Sequence, residues 1–318
     1  MISPGLERHA AVVQAIATEM PDVVSDIVVG LNADRGLPRQ ALRSAVENWE
    51  TALPFFLEML ECYVDDPDSN EAATEPLFFI VHLFGQMRET RAYPLLMRFA
   101  GMAPEHVESV LGDAITASFS RVAASVFDGD TQPMRDVILN EQADEFIRNG
   151  LLQALALVTR DGRADRKWAA EFLLQCASNL KPERDNFVWV GWQCAISYLA
   201  LTDLADVVRQ AFANGRISPG FMSVQDFESD LAATCHDPAG AGKGHNEIGY
   251  FDDVIAELSC WHGFSEAARQ SRPEQIDGAH VDDRPIVVRS VKKHGRPRGN
   301  DACPCGSGRK FKKCCRGR

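Results

Sequence analysis

Four thiols crowd into the last residues of the chain. The run is Cys303-Pro304-Cys305-Gly306-Ser307-Gly308-Arg309-Lys310-Phe311-Lys312-Lys313-Cys314-Cys315. A structural Zn²⁺ site takes four soft or borderline ligands in a tetrahedron, and two closely spaced cysteine pairs on either side of a turn supply them. Cys303 and Cys305 come from one bend, with Pro304 restricting the backbone between them. Gly306 and Gly308 let the chain reverse, and Arg309 to Lys313 return it so that Cys314 and Cys315 meet the first pair. The thiolates carry net negative charge. Arg309, Lys310, Lys312, Lys313 and Arg316 offset it and favour the deprotonated, metal-binding form. The same donor set suits iron. A redox Cys-x-Cys pair is the lesser alternative, because a disulfide between the adjacent Cys314 and Cys315 would strain the backbone.

Other residues with chemical potential fall into weaker patterns. The loop Gly240-Ala241-Gly242-Lys243-Gly244 suggests a phosphate loop and fails the test. Asp237 stands where the first glycine belongs, and Gly244 where Ser or Thr should hold Mg²⁺. His236, His245 and His262 lie near Cys235 and Cys260 without the i, i+4 spacing that puts two ligands on one helix face. Cys62, Cys176, Cys194 and Cys260 fit apolar helix faces and read as small core residues. No elbow serine, helical His-Glu-x-x-His or calcium loop is present. The expectation is a protein that is not an enzyme. Catalytic groups gathered from distant helices would leave no local motif, so a site in a groove between repeats is the minor alternative.

Charge divides the chain in two. The net charge is −12, yet residues 284–318 hold twelve Lys and Arg against one acidic residue, a net +11, which leaves −23 on residues 1–283. An acidic body with a basic tail implies two surfaces with different partners, or a tail that folds back. No run approaches the length of a membrane span, and the first twenty residues lack a long apolar core and cleavage site, so no signal peptide is expected. A reducing cytoplasm, with free or metal-bound thiols, is the expected setting.

The elements that must carry the tail read as helices throughout. Ala41, Leu42, Ala45, Val46 and Trp49 recur at helical spacing after Pro38, and Pro54 is expected to open the next helix through Phe55, Phe56, Met59, Leu60 and Tyr63. Leu6 to Leu31 reads as one or two helices broken near Pro21. Glu75 to Met87 is apolar nearly all round and should lie inside, followed by a polar turn from Gly85 to Arg91. One helix is expected from Leu111 to Val126, and others over Phe146 to Val158 and Phe187 to Leu201. Val224 to Ala232 and Tyr250 to Trp261 also show helical spacing.

Turns at Gly85, Gly129, Gly162 and Thr202 are spaced by 44, 33 and 40 residues, the range of two-helix solenoid repeats. The predicted fold is therefore all-α: a HEAT-like α-solenoid over residues 1–265, a flexible basic linker over 266–300, and a small zinc-binding module over 301–318. A globular helical bundle is the alternative.

The terminal run resembles the SEC-C motif, Cys-x-Cys-x₈-Cys-Cys/His, of the C-terminal tail of the SecA preprotein translocase ATPase. The lead-in Gly299-Asn300-Asp301 agrees, while Ala302 stands where proline is frequent. The resemblance implies that Cys303, Cys305, Cys314 and Cys315 are zinc ligands. It also implies a docking tail, since in that family the tail contacts a chaperone and acidic lipid. Nothing resembles the ATPase motor. Gly85-Gln86-Met87-Arg88-Glu89-Thr90-Arg91-Ala92, Leu111-Gly112-Asp113-Ala114-Ile115-Thr116 and Asp185-Asn186-Phe187-Val188-Trp189 resemble an uncharacterised bacterial family of helical-repeat proteins often joined to this tail. The expected function is a protein-docking adaptor linked to secretion, chaperones or the ribosome. The alternative is nucleic-acid binding by the basic tail, where Lys292-Lys293-His294-Gly295-Arg296-Pro297-Arg298-Gly299 would contact phosphates or a minor groove.

Overall fold

The computed structural model describes residues 20–32, 36–238 and 249–264. Among them every regular element is helical. Helices α1 (Asp22–Leu31), α2 (Arg39–Glu47) and α3 (Trp49–Asp65) lead into α4 (Thr74–Met87). Next come α5 (Tyr93–Ala100), α6 (Pro104–Leu111), α7 (Ala114–Ala117) and α8 (Phe119–Val126). The series continues with α9 (Gln132–Leu139), α10 (Glu145–Arg160), α11 (Arg166–Asn179), α12 (Val188–Tyr198), α13 (Ala205–Ala213) and α14 (Val224–His236). A short α15 (Val254–Ser259) follows.

Packing resolves these helices into two layers. In one, α4, α8, α10, α12 and α14 each lie against the next. In the other, α3 packs on α5, α5 on α9, and α11 on α13. Successive hairpins thus contribute one helix to each layer, and each buries the apolar face its neighbour would expose. The inner helices are apolar accordingly. Leu77, Ile80, Leu83 and Phe84 of α4 are wholly buried, as the all-round apolar sequence predicts. Trp189, Trp192, Ala195 and Ile196 do the same for α12.

Arginines tie one hairpin to the one before it. α10 ends at the turn Asp161-Gly162, and the following Arg163 donates to the carbonyls of Ala124, at 2.9 Å, and Phe127, at the C-terminus of α8. α13 ends at Asn214-Gly215, and Arg216 donates to the carbonyl of Ala177 in the last turn of α11. Both reaches span 39 residues, from Arg163 to Ala124 and from Arg216 to Ala177. A cation at a helix C-terminus satisfies orphan carbonyls and opposes the dipole. Hydrogen bonds of this charged kind contribute about 1.5–3 kcal/mol.

Several sequence expectations shift. Pro54 does not start a helix but lies within α3, which begins at Trp49. Its missing amide leaves the Glu50 carbonyl without an i→i−4 partner, a loss that packing of the apolar face of α3 must offset. The break falls instead at Asn48, whose amide and side chain both bond the Ser44 carbonyl. Gly85 is inside α4, and the reversal comes at Arg88, in the left-handed region with φ 50°. The expected single helix from Leu111 to Val126 is cut at Gly112, whose φ of 47° with ψ −127° only glycine adopts readily. Tyr250 to Asp253 is not helical, so only Val254–Ser259 of that stretch forms α15. The helices expected before residue 20, the loop 240–244, the linker 266–300 and the module 301–318 lie outside the described residues.

Candidate metal centre and an occupied groove

The predicted ligands Cys303, Cys305, Cys314 and Cys315 also lie outside the described residues, as does His245. The donor set itself fits a tetrahedral thiolate site, with four sulfurs and flanking cations. Among the described residues no group of three or more His, Cys, Asp or Glu could hold a metal. Cys235 and Cys260 are exposed, and Cys260 caps the end of α15 rather than filling an apolar face. Cys176 and Cys194 are buried as expected, and burial pushes both thiols up to about 12. Iodoacetamide mapping of the native chain should therefore modify Cys235 and Cys260, while Cys176 and Cys194 react only after unfolding.

What sequence reading did not find is a groove along α4 and α8 that is filled by the chain's own residues 250–264. After α14 the chain returns to the N-terminal half, and α15 packs on α4 and α2. Phe251 is wholly buried, and its amide donates to Ser125 Oγ of α8 at 2.9 Å. The Val254 amide donates to Gln86 Oε1 of α4 at 2.9 Å. Asp253 caps α15 by accepting from the amides of Ile255 and Ala256. Trp261 lies edge-on to Phe78 at 6.1 Å, and Phe264 lies 5.9 Å from Phe79.

Arginines rim this groove. Arg88 pairs with Asp252 at 2.8 Å and lies 4.8 Å from the Tyr250 ring. Arg121 pairs with Glu257 at 2.7 Å, and its second terminal nitrogen donates to the Tyr250 carbonyl. Arg39 donates to Ser259 Oγ at 2.8 Å. An acidic body thus carries a locally basic groove, lined below by aromatic rings and filled by an acidic, aromatic segment.

Under that segment sits a buried histidine. His82 Nδ1 lies 2.6 Å from the Phe78 carbonyl, which can only accept, so Nδ1 carries the proton. Nε2 therefore accepts from Ser118 Oγ at 2.8 Å. A serine beside a histidine base is a nucleophile arrangement in outline. Here Ser118 is wholly buried, His82 is 1% exposed, and the Phe251 ring covers the imidazole at 5.3 Å. The pair ties α4 to α8. Desolvation lowers the imidazole pKa to about 4, so the ring is neutral at pH 7.

A second buried polar knot joins α3 to the turn after α4. Glu89, placed in a polar turn by sequence reading, is 7% exposed and accepts from Trp49 Nε1 at 3.2 Å. Arg91 grips it through Nε and a terminal nitrogen, both at 2.7 Å. These bonds, with that from the Arg91 amide, hold the carboxyl below the usual carboxylate range. The legible signal was Trp49, since a buried indole N–H needs an acceptor.

The profile of a protein family of unknown function, DUF1186, matches residues 19–265, and the SEC-C motif matches residues 300–317. An uncharacterized protein of Chlamydia muridarum is 24% identical over 241 residues, covering 75% of this chain and 96% of its own length. A second uncharacterized protein, from Chlamydia trachomatis serovar D, is 24% identical over 241 residues, covering 75% of this chain and 95% of its own length. The protein translocase subunit SecA of Desulforapulum autotrophicum is 45% identical over 53 residues, 16% of this chain and 6% of that protein. No solved structure matches. No helix among the described residues is long and apolar enough to cross a membrane. With most of its helical body matched and a SEC-C motif at its C-terminal end, the chain belongs to the DUF1186 family.

Proposed function

We propose that the chain is a non-enzymatic, metal-binding adaptor of the cytoplasm whose C-terminal module docks a protein partner. Cys303, Cys305, Cys314 and Cys315 hold Zn²⁺, and the surrounding Lys and Arg residues present a compact basic surface to an acidic face of that partner. The SEC-C match over residues 300–317 carries this reading. The similarity to SecA subunits is confined to a short part of the chain, so it supports a shared docking device and no shared motor. A secretion, chaperone or ribosome-linked partner, or an acidic lipid surface, fits a device of that charge. The metal organises the module, since structural zinc contributes about 10–16 kcal/mol to small domains.

The test is metal analysis and partner capture with the full chain. Purified protein should carry about one zinc, and Cys303→Ser with Cys305→Ser should carry none. The same double variant should lose the captured partner while keeping the far-ultraviolet dichroism of the helical body. Zinc content unchanged by the substitutions, or undiminished capture by a metal-free chain, would contradict the proposal. The net +11 over residues 284–318 favours one second reading, nucleic-acid binding. It predicts an electrophoretic shift of RNA or DNA at low salt that weakens steeply as salt rises.

A further inference from the structure

We propose that the α4–α8 groove is a second, metal-independent docking site, specific for acidic, aromatic helical segments of partner proteins. The chain's own residues 250–264 hold it as an internal ligand. The chemistry of the expected occupant is legible from the segment now seated there. Residues 250–264 read Tyr-Phe-Asp-Asp-Val-Ile-Ala-Glu-Leu-Ser-Cys-Trp-His-Gly-Phe: three carboxylates, no Lys or Arg, and four aromatic rings. The groove answers with Arg39, Arg88 and Arg121 at its rim and Phe78 with His82 on its floor.

Three observations separate this segment from an ordinary final helix. It packs on α4 and α2, far back in the sequence, instead of extending the series after α14. Its helix has six residues, too few to persist without the groove. Its rim pair Arg88–Asp252 leaves the two side chains 47% and 77% exposed. Exposed pairs of that kind add at most about 1 kcal/mol and select among ligands more than they bind them. Anchoring falls to Phe251, Val254 and Leu258, which are buried. A competing segment therefore needs an aromatic anchor, two apolar residues one helical turn apart, and carboxylates placed for Arg88 and Arg121.

Covalent attachment gives the internal segment an effective concentration on the order of millimolar, so foreign segments bind weakly until it lifts. This sets the experiment. A fluorescent peptide of residues 249–264 is titrated into the full-length chain and into a full-length variant with Phe251→Ser and Glu257→Lys, which weaken the internal contact. The peptide should bind the variant at least tenfold more tightly than the wild type. Adding Arg121→Ala to the variant should abolish that gain, and a peptide with its three carboxylates amidated should bind at least tenfold more weakly. No gain in a variant that still melts cooperatively overturns the proposal. A wild-type dimer that dissociates on Glu257→Lys also overturns it, because the occupant would then be a second copy.

Hydrogen exchange on the wild type decides the matter independently of any variant's folding. The Phe251 and Val254 amides, held by Ser125 and Gln86, should exchange at least a hundredfold faster than core amides of α10. Exchange of all these amides at one common rate would make the segment an inseparable part of the core and overturn the proposal.

Discussion

Gly191→Ala lowers the melting temperature of the full chain by roughly 4–8 °C, whereas Gly150→Ala on the facing helix leaves it unchanged or raises it slightly. Both glycines are buried inside helices, at the seam between α10 and α12 and on the α8 side of α10. Helix propensity alone favours alanine at each by about 1 kcal/mol. Space decides the sign. A Cβ on Gly191 would lie 2.6 Å from Asn149 Oδ1, 2.8 Å from Asn149 Cα and 2.9 Å from its carbonyl oxygen. Two of those atoms are main chain and cannot rotate away, so α12 must shift off α10. Overpacking costs about 1–3 kcal/mol, and the upper end applies where main chain blocks relief, which leaves a net loss of about 2 kcal/mol after the propensity gain. A Cβ on Gly150 would meet Phe119 Cδ1 and Ser120 Cβ at 3.6 Å, ordinary contact. Thermal melts followed by dichroism compare the two variants directly. An equal response would mean that the α10–α12 approach is looser than these distances.

The same contrast explains what was legible in the sequence. Local periodicity identified the inner helices because burial on all sides leaves a signature in residue type, as in Leu77 to Phe84 and Val188 to Ile196. It could not separate glycines that end helices from glycines that let helices touch. Gly85 reads as a turn, but it lies in α4, where a Cβ would press on Val122 Cγ2 at 3.0 Å and Phe251 Cβ at 3.3 Å. The reversal is assigned to Arg88, a residue no turn propensity singles out. Conversely Gly112, inside an unbroken apolar pattern, breaks the helix.

Polar burial was harder to read, because partners lie far apart. Glu89 needs Trp49, His82 needs Ser118, and Arg148, wholly buried, donates through Nε to the Ile138 carbonyl. The filled groove is the extreme case. Arg39 and Ser259 meet across 220 residues, and Gln86 and Val254 across 168. No window of sequence contains both sides of such a contact. The four terminal cysteines show the opposite limit, since their spacing within thirteen residues suggests a metal site without reference to any fold.

Acidification from pH 7 to pH 4 should remove about 3 kcal/mol of the stability that distinguishes the wild type from His82→Gln. Burial lowers the His82 pKa from the ordinary histidine value of 6.5 to about 4 in the folded chain. Desolvation outweighs the bond to the Phe78 carbonyl, which pulls it up, while Glu257 and Arg121, paired with each other at 2.7 Å, act in opposite directions. The sign follows from proton uptake. Between these two pKa values the unfolded chain binds a proton that the folded chain refuses, so stability falls as pH falls. The contribution is complete above pH 6.5, about 2 kcal/mol of it is gone by pH 5, and it is spent near pH 4. Other groups titrate in the same range. Burial raises the Glu58 and Asp230 carboxyls, which acts in the opposite direction, while the lowered Glu89 adds to the loss at the acid end. Because both proteins carry these groups, the difference between them isolates His82. Urea unfolding at pH 7, 5.5, 5 and 4 should show the two stabilities converging as pH falls. Parallel curves would show that the imidazole takes up no extra proton on unfolding, and that α4 and α8 are joined by a contact indifferent to acid.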